Sequence, residues 1–142
     1  PSRDDLVAET FTDIAGNELE QLRDELTGLD PGTTLERLLD SLLETERAEV
    51  TGIWVDAWSL SRRNDVLAEA VRRQMDDWQL WVAAIVADGV ARGVFRTDDP
   101  ELAAANIVGM IDGVNAHALA RFRTPAERAV TLRSAIDAAV GR

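Results

Sequence analysis

The chain contains no cysteine, no lysine and one histidine in 142 residues. Without cysteine, disulfides, thiolate zinc sites and cysteine nucleophiles are excluded. A lone His117 supports neither a His-rich metal site nor a serine–histidine triad. The di-iron bundle pattern needs Glu-x-x-His on two helices, and here Val114 stands three residues before the only histidine. The 15 basic residues are all arginine and lie among 26 acids, giving a net charge of −11. A phosphate-binding surface needs clustered positive charge, so this segment is not expected to bind nucleic acid by itself. No acid sits with a base, a glycine-rich phosphate loop or a nucleophile elbow. No enzyme activity and no cofactor are expected. No initiator methionine or targeting segment opens the chain, which reads as cytoplasmic.

What is present is helical periodicity, with no convincing strand. The length fits one domain over 1–142, and 46% hydrophobic and 29% charged residues are ordinary for a globular chain. Ser2 stands three residues before Asp5, a capping-box pattern. It opens a helix to about Leu26, with Leu6, Val7, Phe11, Ile14, Leu19, Leu22 and Leu26 near a 3.6-residue period. Residues 27–32 form a turn cluster. A second helix is expected from Thr33 or Thr34, with Leu35, Leu38, Leu39, Leu42 and Leu43 on one face. Gly52 is expected to break the chain before a short third helix bearing Trp54 and Trp58. A fourth helix runs from after Ser61 to about Arg92, and a fifth from Pro100 to about Phe122. Thr124 caps a sixth, with Pro125 at its first position. The fold class is all-α, a six-helix bundle.

Two helices carry more specific signals. The fourth has one packed seam, Val71, Met75, Trp78, Val82, Ile85 and Gly89, flanked by Gln74 and Trp81. In the fifth, Asp112 is the only formal charge between Leu102 and Ala120, and apolar or small residues lie all the way round. Such a helix must be buried all round. A membrane span is the rival reading, but Asn106, Asp112, Asn115 and His117 would be costly in lipid. Burial by a second copy of the chain is the expected answer. The small-residue stripe Ala105, Gly109, Gly113, Ala116 and Ala120, with Leu102, would meet its equivalent. Val130, Arg133, Ile136 and Val140 on the sixth helix would complete a four-helix dimer interface.

The order of these elements resembles the TetR family of transcriptional regulators. Pro1-Ser2-Arg3-Asp4-Asp5-Leu6 is similar to that family's seam between its DNA-reading domain and its long connecting helix, with Arg3 for the usual lysine. Trp54-Val55-Asp56-Ala57-Trp58 looks like its short tryptophan-bearing helix. Ala87 to Phe95, followed by Asp99-Pro100, is similar to its "I-x-x-G-x-x-x-G-x-F" ending. Met110-Ile111-Asp112-Gly113 resembles its hydrophobic-Asp-Gly helix centre. The resemblance implies the regulatory half of a repressor: an effector-binding, homodimeric domain whose DNA-binding domain is expected upstream. DNA would be bound only through that domain, and no membrane is involved.

Candidate effector-binding residues follow from chemistry. Trp54 and Trp58 lie one turn apart, as do Trp78 and Trp81. Each is either core packing or the wall of a cavity between helices. Phe11 and Met110 are possible neighbours. Gln74 lies beside an apolar stripe and, if buried, needs a hydrogen-bond partner. Asp112, if buried, needs a structural donor or a ligand that supplies one. Aromatics plus one acid suit a small, mostly apolar or aromatic effector, including a cation, with Asn115 a further polar contributor. The alternative is a helical homodimeric interaction module without a small ligand. A cavity of several hundred Å³ would favour the effector, and a packed centre the interaction module.

Overall fold

The computed structural model describes residues 2–44 and 47–142. Six α-helices account for the architecture: α1 Arg3–Leu26, α2 Pro31–Leu42, α3 Ala48–Leu60, α4 Asp65–Ala91, α5 Pro100–Leu119 and α6 Pro125–Ala139. No strand occurs among the described residues, and none of their helices is long and apolar enough to cross a membrane.

Local chemistry sets the helix ends. Ser2 and Asp5 form the full capping box at α1, with both amide bonds at 3.1 Å. α2 begins at Pro31 and not at Thr33 or Thr34. Asp30 is its cap, accepting from the Thr33 amide and hydroxyl at 3.0 and 2.7 Å. These two donors also hold the Asp30 carboxyl below its ordinary range. Gly52 does not break the chain; it lies within α3, where an added Cβ would meet open space. Asn64, itself buried, accepts from the Leu67 amide at 2.9 Å and delays the start of α4 to Asp65. α5 ends at Leu119, sooner than expected, because Arg121 and Arg123 adopt left-handed backbone at φ 56° and 65°.

α4 is the hub, packing against α1, α2, α3 and α5, while α5 also packs on α3 and α6. Two apolar clusters result. The larger joins Leu19, Leu22 and Leu26 of α1 to the leucines of α2, to Trp78, Val82 and Val86 of α4, and to α5 and α6. The smaller joins Ala8, Phe11 and Ala15 of α1 to Ala57 of α3 and Leu67, Ala70 and Val71 of α4. Trp54 packs against both. Leu6 and Ile14 belong to neither core, being 51% and 36% exposed.

The expectation that α5 needs a second chain to bury it is half corrected. Ala103, Ala104, Ile107, Val108 and Ile111 are buried by the chain's own helices. Leu102 and Met110 remain 57% and 38% exposed, and a Cβ on Gly109 or Gly113 would meet nothing. Ile136 on α6 and Val140, the cap that follows it, are core residues of this chain and offer no surface to a partner. Arg133 is also engaged within the chain. It pairs with Glu36 and, at 2.6 Å, with Asp40 on α2. Val130 is the exposed large apolar residue of α6.

Candidate functional site

A cavity of about 50 Å³ lies where α1, α3, α4 and α5 converge below Trp54. Trp54 and Trp58 reach it from α3, Trp78 and Met75 from α4, and Asp112 and Asn115 from α5. Glu18 enters from α1, seven residues after Phe11 and therefore on the same inward face. Arg47 enters from the N-cap position of α3. The space has room for about one or two water molecules, well short of the several hundred Å³ that a preformed effector pocket would show.

Its electrostatics are unusual for so apolar a setting. Glu18 and Arg47 are 2.9 Å apart, with side chains only 11% and 17% exposed. The contact is poorly aligned: both Glu18 oxygens and the Arg47 Nε are buried without a hydrogen-bond partner. Burial pushes the Glu18 carboxyl up; Arg47 and then Trp54 counter this in part. Asp112 is pushed up to about 6, first by burial, then by the Glu18 charge, with Arg47 opposing. Two acids thus feel the charge of one guanidinium, and Glu18 is the one that contacts it. The indole Nε1 groups of Trp58 and Trp78 are buried and also unpartnered. Buried polar groups are almost always satisfied by protein or by ordered water, and the space beside this cluster has room for water. Asn115 is partly committed elsewhere: its Nδ2 donates to the Leu42 carbonyl at 3.1 Å and ties α5 to the end of α2.

Of the eight residues proposed from sequence, Trp54, Trp58, Trp78 and Asp112 line this cavity. Phe11 lies behind it, edge-on to Trp54 at 5.0 Å, and faces an outer groove with Leu6, Ile14 and Leu60. Trp81 does not line the cavity but packs on Trp78 with ring centres 5.8 Å apart. Gln74 is buried but lines a different groove, between α1 and α4, and its Oε1 has no partner. Met110 lies in a shallow groove between α5 and α6. Sequence reasoning missed Glu18, whose spacing from Phe11 was a readable signal, and Arg47, which lies outside any periodic stripe.

Residues 31–141 match the family of BetI-type transcriptional repressor C-terminal domains. The chain belongs to that family. Its members are transcription regulators and not a class of enzyme, and this is the TetR-family regulatory domain that the motifs resembled. The fold is similar to that of a TetR transcription regulator from Haloarcula marismortui, at 22% identity and a TM-score of 0.79, over 99% of this chain and 78% of that one. No curated protein matches the chain.

Proposed function

We propose that this domain binds a small, mostly apolar effector in the Trp54–Trp58–Trp78 cavity and passes its occupancy through α1 to an upstream DNA-binding domain. One observation carries the reading: the buried acids Glu18 and Asp112 and the indoles of Trp54, Trp58 and Trp78 converge on one space among α1, α3, α4 and α5. Two acids beside three indoles favour a monocation with an apolar body, through charge and cation–π contact. Glu18 gives α1 a direct view of the ligand, and Phe11 a second one through Trp54.

A repressor dimer must hold its reading helices about 34–36 Å apart on DNA. An effector that prefers one tilt of α1 shifts the population away from that spacing. The strip of exposed Leu102, Gly109 and Met110 with half-buried Ala105 and Gly113, together with Val130, is the surface we assign to the second copy. The test is operator binding by the complete regulator with and without a candidate cation. A ligand that binds tightly but leaves operator affinity unchanged defeats the mechanism for that ligand. The small cavity favours the second reading, an interaction module without a ligand. That reading is supported if no cation or neutral aromatic alters the tryptophan fluorescence.

A further inference from the structure

Beyond the central cavity, between the ends of α2 and α5, lies an outer space of about 270 Å³. Leu42, Arg47, Thr51 and Asn115 line both spaces and so form the wall between them. Three of the four are poor candidates for movement. Leu42 is core, Asn115 is fastened to the Leu42 carbonyl, and Thr51 is short and held in the first turn of α3. Arg47 differs. Its side chain is long, its Nε is unpartnered, and no side-chain cap fixes the start of α3 at this residue. Its hold on the interior is the off-angle contact to Glu18.

We infer that the Arg47 side chain is a removable partition, latched by Glu18, and that a ligand's positive group displaces it by taking over Glu18. This rests on the effector reading above. The outer space gives the guanidinium somewhere to go, and there it regains water. Its departure alone would strand a buried carboxylate, which is costly. An incoming ammonium group keeps that carboxylate paired, whereas a neutral ligand does not. Joining the two spaces brings the volume into the range of small-molecule pockets, about 300–1,000 Å³. The small volume of the central cavity and the charge selectivity therefore have one origin.

The probes are benzyltrimethylammonium and its neutral isostere neopentylbenzene, followed by tryptophan fluorescence. Arg47→Ala removes the partition and should tighten both probes at least tenfold. Glu18→Gln releases the latch. It should tighten the neutral probe while narrowing the preference for the cation to the part that Asp112 supplies, an outcome that simple damage to the site does not produce. If the unmodified protein binds the cation and neither variant tightens the neutral probe, the partition is wrong and the effector cavity stands. If neither probe binds the unmodified protein or either variant, both ideas fall. Should Arg47→Ala not fold, the Glu18→Gln comparison decides alone.

Discussion

Asp112 is held between burial, which favours its neutral form, and the nearby Arg47, which favours its charge. Burial prevails, and its pKa of about 6 stands above the ordinary 3.8. The native state therefore binds this proton more tightly than the unfolded chain does. The stability it contributes is fully present below pH 3.8 and is lost as pH rises through about 6. Asp112→Asn should remove that dependence and stabilise the chain above the window by on the order of 1–3 kcal/mol. Urea melts below and above the window check this, and an equal difference at both would sink the assignment. The same substitution should weaken benzyltrimethylammonium by about 1–3 kcal/mol and spare neopentylbenzene. Equal loss for both probes would mean that Asp112 only holds the fold.

At the scale of elements, the end of α4 is the tightest piece of construction. Gly93, at φ +76°, lets the Val94 amide reach the Gly89 carbonyl at 2.9 Å and the Gly93 amide reach Val90 at 3.1 Å. This pairing closes the helix and turns the chain back on itself. Phe95 then folds over Gly89, where a Cβ would lie 2.0 Å from the ring. Gly89→Ala should cost about 1–3 kcal/mol, the scale of overpacking, and a chemical melt reads it. No loss would show that Phe95 can shift freely.

Helices of this kind were legible because each carries its own period and caps: the α4 seam and the Ser2 and Thr124 caps needed no tertiary knowledge. Asp30 and Asn64 were missed because several polar residues compete at each of those turns. Periodicity gives a helix a face but not a neighbour. That is why Ile136 and Val140 were assigned to a partner when their own core held them. It is also why Gln74 and Trp81, one turn or less from Trp78, face elsewhere. Four cavity residues were readable from tryptophan content and the isolated acid, whereas Arg47 depends on where a turn brings it.

For the whole molecule, the remaining apolar surface sets the expectation. Leu102 and Met110 on α5 and Val130 on α6 stay exposed, 69% for Val130, beside two glycines open to close approach. The domain should dimerise without any DNA-reading part, and Gly109→Leu or Gly113→Leu should separate the copies. Sedimentation at micromolar concentration checks this; a monomeric unmodified chain refutes the assignment. Engaged arginines shape the molecule as well. Arg133 and Arg142 are drawn onto Glu36, Asp40 and Asp137, clamping α6 to α2. They are thereby taken away from any role toward phosphate, in keeping with the charge of −11.

Trp54 belongs to two cores at once. A ring shared in this way works like the fulcrum of a seesaw. Pressure from the cavity side has to be answered on the Phe11 side, where the ring contact is edge-on at 5.0 Å. Phe11 is eight residues from the start of α1, about 12 Å along a helix. The mechanical distance from an occupied cavity to the beginning of the chain is thus two aromatic rings and little more than two turns of helix.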